Sequence, residues 1–113
     1  MLVWPDGTLY EGYFRNDKAT GYGRLIHSDG ELYLGGWLFD KAHGFGFHYG
    51  QDGSIYRGFW KNDLKSGRGF ERWPNGDRFE GNFREGLKEG IGTFQWADGN
   101  RYYGHFVANN IEG

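Results

Sequence analysis

Cysteine is absent from this chain, so it offers neither a disulfide framework nor thiolate chemistry. Hydrophobic residues make up only 37% of the sequence, which leaves too few aliphatic side chains for a wide core of Leu, Ile and Val. No apolar run is long enough for a signal peptide or a membrane span. The net charge of −2 gives no general attraction to nucleic acid or to an anionic membrane. These absences favour an intracellular, cytoplasmic protein that is not transmembrane and has no nucleic-acid partner.

Glycine and aromatic residues are abundant, and they recur together. An aromatic residue stands at every 23rd position, a glycine follows two positions later, and a second aromatic follows two positions after that. The three columns are Tyr10, Tyr33, Tyr56, Phe79 and Tyr102, then Gly12, Gly35, Gly58, Gly81 and Gly104, then Phe14, Trp37, Trp60, Phe83 and Phe106. Paired glycines and a turn ending in Asp-Gly or Asn-Gly complete each unit. Columns that keep one phase along the chain indicate a repeat architecture.

Within a unit the residue types alternate with a period of two, which indicates strands. In the strand predicted at residues 54–61, one face would hold Tyr56, Gly58 and Trp60. The other face would hold Arg57, Phe59 and Lys61. Residues 62–66 are predicted to form a polar five-residue loop, 67–73 a second strand, and 74–76 a turn. About ten strands with short links predict an all-β fold. It would be one elongated, twisted antiparallel sheet, a meander of stacked β-hairpins roughly 45 Å long.

The recurrent glycines need a reason, because glycine weakens a strand. A glycine between two aromatic residues on one face leaves bare backbone on which a neighbouring ring can lie. Repeated in register, such rings would form a continuous aromatic spine along the sheet.

These residues resemble the MORN (membrane occupation and recognition nexus) repeat family, whose pattern is approximately Y-x-G-x-W, a short polar loop, G-x-G and a turn with D-G. The resemblance covers the chain as one array. Its full units are 10–32, 33–55, 56–78 and 79–101, and its partial units are 1–9 and 102–113. It implies an elongated sheet of stacked hairpins with no catalytic activity of its own and no cofactor.

The same resemblance implies the kind of partner. MORN repeats are found in cytoskeletal and ciliary proteins, at membrane junctions, and beside phosphatidylinositol phosphate kinase or histone methyltransferase domains. The functions attributed to them are protein binding, self-association and contact with phospholipids. We therefore expect a cytoplasmic scaffold, with association to the cytoskeleton or a membrane. An accessory domain of a larger kinase or methyltransferase is an alternative.

The preferred hypothesis is a protein-interaction module that presents its ring-rich face to an extended or helical segment of a partner, or to another copy. Aromatic residues supply much of the affinity at interfaces. The candidate partner-binding residues are Tyr33, Trp37, Tyr56 and Trp60, flanked by Arg57 and Arg72. The competing interpretation of the ring column is structural packing, because a one-layer sheet has no other core.

The alternative ligand is an anionic phospholipid, such as a phosphoinositide, bound through the basic unit 56–78. That unit carries Arg57, Lys61, Lys65, Arg68, Arg72 and Arg78 against Asp63, Glu71 and Asp77. Clustered basic residues bind anionic lipid surfaces. The interleaved acidic residues favour a solvated, salt-bridged face instead.

Catalytic and metal chemistry have little support. The four histidines show no recurring ligand spacing, although His43 and His48 flank one G-x-G, and we expect no metal site. Asp6 and Asp52 fall in turns and are interpreted as turn formers. With no Ser-His-Asp set and no phosphate-binding loop, the sequence predicts no enzyme.

Both ends of the sequence lack the polar capping unit that repeat arrays normally need. Each end would present an unpaired strand edge. We expect either an excerpt from a longer array or edges that pair with another copy, and we favour the excerpt.

Overall fold

The computed structural model describes residues 2–111, and these residues form one antiparallel sheet of eleven strands. Each strand pairs with its neighbours in sequence, so the predicted meander is confirmed. The strands are β1 (Leu2–Val3), β2 (Leu9–Arg15), β3 (Lys18–Ile26), β4 (Leu32–Leu38), β5 (Lys41–Tyr49), β6 (Ile55–Lys61), β7 (Leu64–Arg72), β8 (Arg78–Arg84), β9 (Leu87–Gln95), β10 (Arg101–Val107) and β11 (Asn110–Ile111). The sheet measures 47 × 25 × 16 Å, close to the predicted length.

The strand count exceeds the predicted number of about ten by one, because the last partial unit adds the two-residue strand β11 after β10. Met1, Glu112 and Gly113, which belong to the predicted partial units 1–9 and 102–113, lie outside the described residues.

The turn inside each hairpin is tighter than predicted. The expectation of a five-residue loop at 62–66 is wrong, because β7 already begins at Leu64. Asn62 and Asp63 adopt φ values of 49° and 69°, in the left-handed region that these two residue types tolerate. Positive φ at both central residues gives the two-residue turn whose twist matches that of the flanking strands.

In the four full units a bulge follows this turn and takes up the remaining residues. Gly58 pairs with Gly69 and Trp60 with Lys65, so Phe59 alone opposes three residues of β7. Gly67, one of those three, has a φ of +77°. The first glycine of the G-x-G pair therefore serves the bulge, as glycines at bulges commonly do.

The turn between hairpins has the predicted form. The Gly76 N–H donates to the Trp73 carbonyl at 3.0 Å, and Gly76 has a φ of +98°. Pro74 presets φ for the first turn residue, and the glycine that follows accepts the left-handed conformation. The same turn recurs at Trp4, where the Gly7 N–H donates to the Trp4 carbonyl at 3.0 Å.

One row of the sheet consists of glycine on nine successive strands. In register, each of these glycines faces the next across the ladder. The row is Gly12, Gly23, Gly35, Gly46, Gly58, Gly69, Gly81, Gly92 and Gly104. Tyr56 lies over this row: a Cβ on Gly69 would stand 2.6 Å from Tyr56 Cε1. The absence of side chains along the row is what lets the rings lie flat on the backbone.

The buried rings form the core of this one-layer sheet. The exposed fraction is 2% for Tyr10, 5% for Tyr33, and 1% for both Tyr56 and Phe79. Alternate positions on β8 are buried and exposed, which confirms the period of two. We call the side that carries these rings and Tyr102 the ring face.

Neighbouring hairpins are also joined at their turns. The Ala19 N–H donates to Asp40 Oδ1 at 2.7 Å, and the Asp40 N–H donates to the Ala19 carbonyl at 3.0 Å. Asp63 makes the same two bonds to Ala42 in the next unit, at 2.6 and 3.0 Å. Each hairpin turn thereby fixes the strand of the hairpin before it.

The glycine row gives a direct test of the fold. Gly69→Ala should lower the free energy of unfolding by about 3 kcal/mol, because the new methyl group collides with the clamped Tyr56 ring. The matched control is Gly90→Ala, where a Cβ meets no atom within 4 Å and the cost is the positive φ alone, about 1 kcal/mol. Urea denaturation measures both. An equal or smaller loss at Gly69 would contradict this packing.

Candidate functional site

The ring face carries a continuous ladder of ten aromatic rings, as the predicted spine required. Successive ring centroids lie 5.0 to 5.5 Å apart and every contact is edge-to-face. The order is Phe14, Tyr10, Trp37, Tyr33, Trp60, Tyr56, Phe83, Phe79, Phe106 and Tyr102. This geometry is the favoured one for ring pairs, and it adds to the free energy gained from burial alone.

The tyrosine hydroxyls tie the ladder to the backbone. The Tyr33 hydroxyl donates to the Gly36 carbonyl at 2.9 Å, and the Tyr56 hydroxyl donates to the Phe59 carbonyl at 2.9 Å. Tyr10 and Tyr102 make the equivalent bond three residues onward. Burial raises the pKa of Tyr33 and of Tyr56 well above the ordinary value, because ionised phenolate would lose its hydration.

The four predicted ring residues lie together but differ in access. Tyr33 and Tyr56 are buried, whereas Trp37 and Trp60 are half-buried on the same face. Tyr33 lies between the two tryptophans, 5.1 Å from Trp37 and 5.4 Å from Trp60. The Trp37 indole N–H donates to the Gly23 carbonyl at 3.2 Å, while the buried Trp60 Nε1 has no hydrogen-bond partner within residues 2–111. The tyrosines pack edge-to-face against the tryptophans and so position them.

The two predicted arginines lie on the other side of the sheet. Arg57 alternates with Tyr56, and its guanidinium lies 5.5 Å from the Phe70 ring. Arg72 pairs across the ladder with Ile55 and is exposed. Because strand neighbours alternate between faces, the sheet separates these arginines from the rings that they were expected to flank.

This second side, the opposite face, has exposed aromatic residues of its own. Phe45 and Phe59 pair across β5 and β6, with centroids 5.6 Å apart and 47% of each side chain exposed. The opposite face is defined by these two residues with Arg57, Phe70 and Arg72. The predicted alternation already placed Phe59 there, but the pairing with Phe45 required the strand register.

One opening lies on the ring face near the start of the array. It is an open cavity of about 760 Å³, and Trp37 is the one predicted site residue that lines it. Its other lining residues include Trp4, Tyr10, Phe14, Ala19, Asp17 and Asp40. The sequence interpretation missed this group. The available signal was a column in which Ala19 and Ala42 stand where later units have Lys65 and Lys88.

Those two lysines cover the ring face in the later units. Lys65 Nζ lies 2.7 Å from Glu71 Oε2 and 5.1 Å from the centroid of the Tyr56 ring. Lys88 Nζ lies 5.1 Å from the Trp73 ring centroid and 5.4 Å from that of Phe79. Lysine side chains therefore lie over the ring face in the second half of the array, whereas the cavity lies beside Ala19 in the first half.

The remaining polar residues form turns. The Thr8 N–H donates to Asp6 Oδ1 at 2.9 Å, and the Ser54 N–H donates to Asp52 Oδ1 at 2.9 Å, as predicted for turn formers. The bond from the Thr8 N–H lowers the pKa of Asp6, and the bonds from the Ser54 hydroxyl and N–H lower the pKa of Asp52. His48 Nε2 lies 2.9 Å from Glu31 Oε1. Within residues 2–111, no three His, Asp or Glu side chains form a group that could hold a metal ion.

Comparison with known protein families gives four consecutive matches. The family model described as MORN repeat matches residues 10–31, 33–55, 56–78 and 79–101. These boundaries agree with the predicted units, except that the first match ends one residue earlier. No curated protein matches the chain significantly. The part of the chain that the structure describes contains no helix able to cross a membrane.

The buried hydroxyls predict how stability depends on pH. Tyr56→Phe should cost about 1 kcal/mol at neutral pH through the lost hydrogen bond, and the ring should still fit because Phe79 occupies the same column. A pKa raised by folding leaves stability constant below the ordinary tyrosine pKa of about 10 and lowers it at higher pH. The Tyr56→Phe variant should therefore lose less stability between neutral pH and about pH 11. Urea denaturation at both pH values measures this, with Tyr103→Phe as the exposed control. Parallel losses in wild type and variant would contradict it.

Proposed function

The chain belongs to the MORN repeat family, and on that premise we propose that it is a non-catalytic scaffold whose ring face holds an extended or helical segment of a partner protein. The observation that carries the proposal is the open cavity of about 760 Å³ on this face. It lies in a sheet whose rings are already ordered by the ladder, so a partner meets surface that needs no rearrangement.

Roles within this surface follow from burial. Trp37 lines the cavity and offers contact area, and half-buried Trp60 lies one unit further on. Buried Tyr33 and Tyr56 would act as positioning residues, since each packs against a tryptophan at 5.1 Å. Tryptophan is enriched among the residues that dominate interface affinity. A second copy of the chain is the other protein partner that the proposal includes.

A second candidate function uses the opposite face. Arg57, Arg72 and Arg78 share it with half-exposed Phe45 and Phe59, which is the composition that an anionic membrane surface attracts. Against it, Arg68 is paired with Glu80 at 2.9 Å, and Arg57 lies over Phe70. Fewer basic side chains of unit 56–78 are therefore available to a lipid headgroup than the sequence alone suggests.

An intracellular, cytoplasmic location stays a prediction of the sequence. Association with the cytoskeleton or a cilium, and an accessory role beside a kinase or methyltransferase domain, stay predictions of the family resemblance. The scaffold proposal does not depend on any of them.

The scaffold proposal predicts which face captures peptides. Peptides selected from a displayed random library should shift the NMR signal of the Trp37 indole N–H and leave the amide of Phe59 unchanged. Trp37→Phe should weaken their binding by about tenfold, while the column still tolerates phenylalanine, as Phe14 and Phe83 demonstrate. Arg57→Glu on the opposite face is the matched control and should leave binding unchanged. Selection of no peptide, or sensitivity to Arg57→Glu alone, would contradict the proposal.

The lipid alternative predicts a different set of results. Sedimentation with phosphatidylcholine vesicles should require added phosphoinositide and should weaken as salt is raised, because exposed charges are screened. The double variant Arg57→Glu/Arg72→Glu should abolish it, whereas Trp37→Phe should not. No sedimentation at low salt would remove this function.

A further inference from the structure

One column of the ring face is occupied by lysine in two units and by alanine in two others. The positions are Ala19, Ala42, Lys65 and Lys88, each followed 23 residues later by the next. Both lysines place their ammonium groups over rings of the ladder or of the neighbouring turn. Aromatic faces attract cations, most strongly where tryptophan is present and water is partly excluded. The array therefore contains filled examples of a lysine site.

The Lys88 site is the clearer example, because its ammonium lies between two aromatic residues. Trp73 stands in the turn before the unit, and its ring centroid lies 5.1 Å from Lys88 Nζ. The Phe79 ring lies over the glycine row, and its centroid is 5.4 Å from the same atom. Burial lowers the pKa of Lys88, so the surroundings partly desolvate this side chain. Even so, the chain keeps a lysine there.

The first unit repeats this arrangement without the lysine. Trp4 stands in the turn before the first full unit, as Trp73 does before the fourth, and Tyr10 and Ala19 stand where the fourth unit has Phe79 and Lys88. The backbone of the turn is the same: the Trp4 N–H donates to the Thr8 carbonyl at 2.8 Å, and the Trp73 N–H donates to the Asp77 carbonyl at 2.9 Å. The methyl group of Ala19 is too short to reach the rings, and the open cavity lies at this place.

The second unit is not an equal candidate. Ala42 is also short, but the position of Trp4 and Trp73 is taken there by His27. The first unit therefore combines a tryptophan, Trp4, with an alanine, Ala19, at the position where later units have lysine.

Carboxylates surround the unfilled position. Asp6, Asp17 and Asp40 all line the cavity. Asp40 is held by its bond from the Ala19 N–H at 2.7 Å, and Asp6 by its bond from the Thr8 N–H at 2.9 Å. Fixed negative charge around aromatic walls favours a cationic group over a neutral or anionic one.

We propose that this cavity binds a lysine side chain of the partner segment, with its ammonium group between Trp4 and Tyr10 and its charge balanced by Asp17 and Asp40. The inference rests on the proposed scaffold function and names the side chain that the ring face selects. The volume of about 760 Å³ also leaves room for the residues that flank the lysine.

The test uses Nα-acetyl-lysine N-methylamide as the probe and its Nε-acetylated form as the uncharged control. Titration followed by NMR should give saturable shifts of the Trp4 indole N–H and the Ala19 amide with the lysine probe. Affinity for the acetylated form should be at least about tenfold lower, because the cation–π and carboxylate interactions are lost. Equal binding of the two probes, or no saturable shift with either, would overturn the lysine site.

Two reciprocal variants sharpen the test. Ala19→Lys supplies the missing lysine from the chain itself and should abolish probe binding, and it should fold because Lys88 is accommodated at the equivalent position. Lys88→Ala should open the cage at Trp73 and Phe79 and add a second set of saturable shifts there. Probe binding that survives Ala19→Lys in a folded variant would overturn the inference.

The outcomes also separate this inference from the scaffold function. Peptides that bind the ring face equally well when their lysines are replaced by norleucine would overturn the lysine site and leave the scaffold function standing. Failure to obtain any ring-face peptide would count against the scaffold function itself.

Discussion

The contact between an aromatic ring and bare glycine backbone is the constraint on which this structure depends. A single sheet has no second layer to cover its apolar side, so its rings must be buried by the sheet itself. The unbroken row of nine glycines makes this geometrically feasible, because any Cβ along the row would occupy the place of a ring. The edge-to-face ladder, the hydroxyl bonds to backbone carbonyls and the regular spacing of the units all follow from rings clamped in this position.

The same constraint divides the ring face into two halves. Once the rings lie flat, the column beside them decides whether the face is covered or open. Lys65 and Lys88 extend across the rings in the later units, and the short Ala19 lines a cavity in the first one. A regular fold thereby gains one distinctive region without any change of backbone. The proposed binding site uses residues that differ between units, and the repeat supplies the support that positions them.

Much of the fold could be predicted because it depends on patterns of residue type that the sequence shows directly. These patterns are the 23-residue period, the alternation along each strand and the glycine column. The loop at 62–66 could not be predicted, since Asn62 and Asp63 take left-handed conformations that close the hairpin in two residues and let pairing continue to Leu64. The candidate site was only partly predictable. Phe14 and Phe83 stand in the same column, yet Phe14 is 45% exposed and Phe83 is 4% exposed. The difference lies in neighbours on other strands, because Phe14 ends the ladder whereas Phe83 packs between Tyr56 and Phe79.

The central claim is that the column rings are clamped between the glycine row and their ladder neighbours, and ring-flip rates measured by aromatic NMR test it most directly. A ring held flat on backbone can rotate only when the surrounding packing opens. Tyr10, Tyr33 and Tyr56 should therefore flip slowly enough at low temperature to give separate signals for the two sides of the ring. Tyr13 and Tyr103, which are 71% and 74% exposed, should give averaged signals. Fast averaging at Tyr56 in the folded protein would contradict the account.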